Sequence, residues 1–454
     1  MHETVVLIGA GSASFTRGLL ADMIHAGWTG ELALVDTDPK AMQVAEGLAQ
    51  KMIKLGGVAL KVSATTDRRN ALPGATAVIC TIGVGGRRAW EQDVFIPRRY
   101  GIYQPVGDSV MPGGSSRALR MIHAMVDIAR DVQKLAPKAL FINYGNPMSP
   151  VCRGIRKATG AQVIGLCHGV PNCSHRLEHI LGLETGQLAY TATGINHMTW
   201  FTDVRTASGE DLMPKLLKIA REKAAITLTP DSFGLETWLG DTVTKPQETP
   251  FTWQLTNTFG AYPVPGDRHL TEFFGRLFSA KGAYYGKTLG VDAYTFEGTI
   301  RSGDTWYAEM TRLALSSDAL PADFLGRGGG EHEQVVDIIE SVRTNRGRQY
   351  SANLPNTGQV ANLPADAVIE CPAVADGAGM RPVMLPSLPN AIAGTLATRF
   401  AWVETIVEAA LEGSRQKFVQ ALLLDGAVDS IDTANRLADD LLAAQKQYLP
   451  QFQA

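Results

Sequence analysis

Cys167 and His197 each close an apolar run, in Gly165-Leu166-Cys167-His168-Gly169 and in Gly194-Ile195-Asn196-His197-Met198. A thiolate and an imidazole together suit a borderline transition metal, and a cation beside the thiol would hold it deprotonated. Thirty residues separate the two, so only the fold can bring them together. Taken singly, each has a plainer reading: a free cysteine at a strand end is commonly a small buried hydrophobe, and a lone histidine a hydrogen-bonded polar residue.

A second chemistry-bearing segment is Gly9-Ala10-Gly11-Ser12-Ala13-Ser14, directly after Val5-Val6-Leu7-Ile8. Gly9 allows a tight turn, and Gly11 lets a pyrophosphate approach backbone N–H groups at a helix N-terminus. Ser12 lies in that turn, and Ser14 stands where such fingerprints carry a third glycine. Asp36 ends the next apolar run, where a carboxylate can accept from ribose hydroxyls and would repel a 2′-phosphate; this favours NAD over NADP. Its plainer reading is a helix N-cap. Gly83 and Gly85 follow the fourth run, where backbone skirts a nicotinamide ribose or simply forms a loop.

These residues need strand ends to present them, and the sequence supplies a series of strands. The runs 5–9, 32–36, 60–64, 77–82, 139–144 and 162–167 are near-continuous in Val, Ile and Leu, with helical spacing over 17–26, 39–55 and 115–135 between them. That alternation predicts an α/β, Rossmann-type doubly wound parallel sheet over residues 1–170. An α+β lobe for substrate binding and oligomerisation is expected over 171–454, the whole resembling the lactate/malate dehydrogenase architecture. Within it, 188–201 reads as one strand-like run, 351–390 as a long ordered loop region, and the last 60 residues as helical. Asp38-Pro39 reads as an N-cap followed by proline at the first helical position.

The order of motifs resembles glycoside hydrolase family 4. It comprises strand-G-A-G-S, D-T-D-P, Gly107-Asp108-Ser109 with Pro112-Gly113-Gly114, Asn143-Tyr144-Gly145-Asn146-Pro147, G-L-C-H and G-I-N-H, continuing through N-L-P-N and V-I-E-C-P. The resemblance implies that Cys167 and His197 ligate a divalent metal, commonly Mn2+, and that Asn146 and His168 contact substrate. It assigns Asp108 as leaving-group acid, with Asp267 or Tyr262 as base. The implied reaction is oxidation of a sugar at carbon 3 by NAD, deprotonation at carbon 2, elimination, water addition and re-reduction. Because C-H-G-V follows where phosphosugar enzymes carry C-D or C-N, a non-phosphorylated α-glycoside is expected, with α-glucoside or α-glucuronide favoured and α-galactoside possible. A carboxylate substrate would want a forked cation, for which Arg117, Arg268 and Arg301 are candidates, Arg268 first among them. The resemblance also implies a homodimer or homotetramer.

Composition narrows the alternatives. With 454 residues, 45% of them hydrophobic, and a net charge of −3, nothing favours nucleic acid or an anionic membrane as partner. The five cysteines form no CxxC pair, which argues against a disulfide framework and for a cytoplasmic compartment. Two other readings share the nucleotide fold: a net dehydrogenase of the 2-hydroxy-acid type, and a non-catalytic NAD-binding sensor. The first leaves a Cys/His pair without a role, and the second would be expected to have lost it.

Overall fold

A computed structural model describes residues 1–224, 250–277, 296–326 and 333–453. Six parallel strands, β1 (His2–Ile8), β2 (Thr29–Val35), β3 (Leu60–Thr65), β4 (Ala77–Cys80), β5 (Leu140–Asn143) and β6 (Ile164–Gly165), lie in the order 3-2-1-4-5-6. This is the doubly wound order, with its reversal beside β1, and the Rossmann-type expectation holds.

The sheet does not end there. β6 pairs antiparallel with β10 (Arg348–Pro355), which pairs with β11 (Val368–Asp376), then β7 (Leu188–Ile195), β8 (Met198–Thr206) and β9 (Tyr262–Val264); β12 (Gly379–Pro382) flanks β11. Two expectations are corrected here. The run 188–201 is a hairpin rather than one strand, because Asn196-His197 makes a two-residue turn with Ile195 opposite Met198 and His197 at φ 67°. The stretch 351–390 contains β11, β12 and most of β10 rather than a loop alone; its continuous buried runs, 351–354 and 368–373, outweigh its prolines and glycines.

Alternation along β1 explains the layering. Val6 and Ile8 face a core shared with Ile392, Leu396, Trp402 and Ile406, whereas Val5 and Leu7 face one shared with Met310, Val335, Ile338 and Ile339. Both faces of the N-terminal sheet are thus covered partly by helices from the far end of the chain. Trp28 Nε1 donates to Glu340 at 2.9 Å, and Trp402 Nε1 donates to Ser115 Oγ at 2.9 Å, which fixes where those helices sit. Asp38 accepts from the backbone N–H of Lys40 and Ala41, as its N-cap reading requires. All five cysteines are free and buried. Among the described residues, no helix is long and apolar enough to cross a membrane.

Candidate active site

The crevice at the ends of β1, β2 and β4 is built from backbone. Gly9 adopts φ 94°, and a Cβ there would come within 2.7 Å of Ile82 N, so the turn admits only glycine. Ser12 precedes the helix Ala13–His25, and the Ser14 side chain lies outside the described residues. Asp36 accepts from Gly11 N at 2.8 Å and from Asp38 N at 3.0 Å, which ties its carboxylate to the glycine turn. Gly85, at φ 77°, precedes the helix Gly86–Arg98, and Arg120 Nε donates to Val84 O at 2.9 Å to steady the loop. Tight turn, helix N-terminus and strand-end carboxylate could hold a dinucleotide.

A contact series leads from this crevice into a second site. A Cβ on Gly83 would lie 3.5 Å from Arg117 Nη2; Arg117 Nε donates to Asn146 O at 3.0 Å, and Asn146 Nδ2 donates to Asp108 Oδ2 at 3.0 Å. Ser109 Oγ donates to Asp108 Oδ1 at 2.7 Å and contacts His197 Nδ1 at 2.6 Å. Its proton already spent on Asp108, the hydroxyl accepts from Nδ1–H, so Nε2 of His197 keeps its lone pair. One donor atom each from Asp108, His197 and His269 lie within 4.8 Å of one another. Burial lowers the His197 pKa to about 4, and His269 is held well below the ordinary imidazole value, first by burial and then by His197. For Asp108, burial works upward, but His197, His269 and Arg117 outweigh it and leave the carboxyl below its usual range.

The loop carrying Asp108 is tightly held. Gly113 and Gly114 allow close approach: a Cβ on Gly113 would meet Gly107 O at 2.8 Å, and one on Gly114 would meet the Ser109 carbonyl carbon at 2.5 Å. Glu272 Oε1 accepts from Val106 N and Gly107 N, both at 2.8 Å, and burial pushes its pKa up to about 8. Arg268 Nη2 donates to Pro105 O at 3.1 Å and to Thr299 Oγ1, so its guanidinium braces the same loop. From the C-terminal helices, Asp425 Oδ2 accepts from Met111 N at 2.6 Å.

Cys167 is buried beside the cluster without being a member of it. Gly169 N reaches its sulfur at 3.4 Å, and burial followed by Glu370 pushes the thiol up to about 12. His168 begins the next helix and lies close enough to affect both His197 and His269. The two base candidates are neighbours of Arg176. Asp267 caps the helix Pro250–Phe259, accepting from Phe251 N at 2.9 Å and Thr252 N at 2.7 Å. Tyr262 is fully buried against Trp253 and Phe201; burial raises its phenol to about 12, with the neighbouring Arg176 working the other way. Arg301 is exposed on the helix Phe296–Leu315.

His269, Glu272 and Glu370 had not been singled out from the sequence. A signal existed for two of them: His269 and Glu272 stand three apart, on one face of the helix Asp267–Phe273. Glu370 sits in β11, where Thr199 Oγ1 donates to it at 2.6 Å.

Residues 4–183 match Family 4 glycosyl hydrolase, and residues 192–428 match its C-terminal domain. The chain belongs to glycosyl hydrolase family 4. Within the family it is similar to an α-glucosidase of Erwinia rhapontici (31% identical, 99% of each chain) and an α-galactosidase of Bacillus subtilis (30%, 99% of this chain and 100% of that one). An α-galacturonidase of Bacillus subtilis is 31% identical over 96% of each. The fold is also that of a 6-phospho-α-glucosidase from gut microorganisms crystallised with NAD and Mn2+ (TM-score 0.82, 20% identity, 99% of this chain and 100% of that one). As a family 4 member the chain is a glycosidase, a hydrolase of glycosidic bonds.

Proposed function

We propose that this glycosidase cleaves a non-phosphorylated α-glycoside with NAD and a divalent metal such as Mn2+ as cofactors. The observation that carries the reading is the contact series from Gly83 through Arg117 and Asn146 to Asp108, which makes the nucleotide crevice and the donor cluster one continuous site. The residues fit both groups: the crevice excludes a side chain at Gly9, and His197 offers a lone pair beside a carboxylate. When bound, these cofactors supply oxidation and re-reduction at carbon 3 and stabilisation of negative charge next to the ketone.

Most glycosidases work with two carboxylates across the scissile bond, a scheme from which family 4 departs. In our reading His197 and Cys167 hold the metal, while Asn146 and His168 bind the sugar. The proton at carbon 2 goes to Tyr262 or Asp267. Tyr262 takes it as a phenolate, the form that the neighbouring Arg176 favours, whereas the Asp267 carboxylate already accepts hydrogen bonds at the start of a helix. Asp108 protonates the departing oxygen. Its neighbours keep it ionised at rest, so it must take up a proton from solvent before the bond breaks, and it regains one from the water that adds. C-H-G-V after β6 and the non-phosphorylated classes named among the relatives support a substrate without phosphate, and the C-H-G-V segment favours α-glucoside or α-glucuronide.

The test is a panel of nitrophenyl α-glycosides, with and without uronic acid or 6-phosphate groups, assayed with NAD and Mn2+. Hydrolysis in deuterium oxide is expected to place deuterium at carbon 2 of the released sugar, and Tyr262→Phe to suppress that exchange. Full hydrogen retention at carbon 2 with NAD-independent turnover would overturn the mechanism, and a strong preference for the 6-phosphoglycoside would overturn the substrate class.

A further inference from the structure

The imidazoles of His197 and His269 come from different halves of the substrate region, one from the β7–β8 turn and one from the helix Asp267–Phe273. Their ring centroids are 4.1 Å apart with planes tilted by 47°. Hydrogen bonding accounts for Nδ1 of His197 through Ser109, but Nδ1 of His269 is buried and has no hydrogen-bond partner. A buried polar nitrogen without a partner is costly, because it has lost its water and gained nothing in return. Two uncharged imidazoles with unshared lone pairs also gain little from lying this close together. A cation at the point where their donors converge removes both costs. The Asp108 carboxylate is within 4.8 Å of both and would balance its charge, while its own oxygens stay engaged with Ser109 and Asn146.

We infer that His269 is a further protein ligand of the divalent metal, binding through Nδ1 alongside His197. The assignment rests on the metal-dependent reading above and adds to it a nitrogen donor that the Cys167/His197 pair does not include. It has a structural corollary. His269 shares its helix with Asp267, Arg268 and Glu272, so metal binding and the brace on the Asp108 loop become one mechanical unit. Nitrogen ligands are commonly oriented by a second hydrogen bond, which Ser109 provides for His197.

The experiment uses Mn2+ alone, titrated into the full-length protein and followed by electron paramagnetic resonance of the free ion. Wild type is compared with His269→Asn and His269→Ala, and folding is checked by thermal melting. We expect at least a tenfold rise in the Mn2+ dissociation constant for both variants. Pulsed measurement of nitrogen couplings on wild type is expected to count two imidazoles on Mn2+. A single imidazole in wild type overturns the inference, and this readout needs no variant to fold. Unchanged Mn2+ affinity in a folded variant, with KM for the glycoside raised, also overturns it and makes His269 a sugar contact. A metal that is required for activity but held by one nitrogen would sink this inference and spare the proposed function. Wild-type protein that binds no Mn2+ and works without it would sink both.

Discussion

The glycine-lined crevice and the donor cluster adjoin each other but are made differently. The crevice is a property of the main chain: Gly9 and Gly11 follow β1, Gly85 follows the neighbouring β4, and the carboxylate of Asp36 is held by backbone N–H groups. The cluster is a property of side chains gathered from residues 108 to 269, on a loop, a hairpin turn and a short helix. Main-chain sites leave contiguous sequence signatures, because the glycines must occur where the turn occurs. Side-chain sites leave scattered residues whose partners are known only after folding. The difference also predicts how each fails: the crevice through steric intrusion, the cluster through loss of one charge or lone pair.

The largest expected effect is on the cluster. Asp108→Asn keeps the size of the side chain and an acceptor for Ser109, but it removes the charge and the proton-transfer capacity. Turnover should fall about 10²–10⁴-fold, with dinucleotide affinity unchanged in a fluorescence titration. A parallel loss of dinucleotide binding would mean that the two regions are not separable in this way.

Next comes the crevice. Gly9→Ala puts a methyl group against Ile82 N and strains a left-handed backbone. Dinucleotide affinity should weaken about tenfold to a hundredfold, the equivalent of ~1.4–2.7 kcal/mol. Mn2+ affinity should not move. If calorimetry found both affinities reduced alike, the crevice and cluster would be one cooperative site rather than two adjoining ones.

The smallest effect concerns the brace on the Asp108 loop. Burial raises the Glu272 carboxyl from 4.5 to about 8, so the folded state binds a proton that the unfolded state has released. Its contribution to stability is complete below about pH 4.5 and is lost as pH rises through about 8. Glu272→Gln keeps an acceptor for Val106 and Gly107 and does not titrate. Its melting temperature should therefore decline less between pH 5 and 9 than that of wild type, by on the order of a few degrees. Superimposable melting profiles would show that Glu272 does not titrate with folding.

Legibility in the sequence follows the same division. The six parallel strands could be read because strands buried on both faces are continuous in Val, Ile and Leu, whereas their order in the sheet came from the structure. The antiparallel extension was less legible: β7 and β8 present one unbroken run, and the Asn196-His197 turn contains no glycine to mark it. Cys167, His197, Asn146 and Asp108 stood out through motif order. His269 and Glu272 did not, because a histidine and a glutamate on a short helix are ordinary until the helix is seen to face the Asp108 loop. Arg268, read as a cation for substrate, braces that loop through Pro105 O, a contact that no spacing in the sequence could reveal.

The covering of the N-terminal sheet by distant helices has a consequence for how the protein is made. Its six parallel strands are complete by residue 165, yet Val5 and Leu7 await Val335 and Ile338, and Val6 and Ile8 await Ile392 and Trp402. At about 5–20 residues per second, the gap between finishing the strands and covering them is roughly 10–60 s. Throughout synthesis of the second half, the nascent chain therefore carries two sheet faces covered only by its own N-terminal helices, and a chain that stops early leaves the rest of each apolar face open to aggregation.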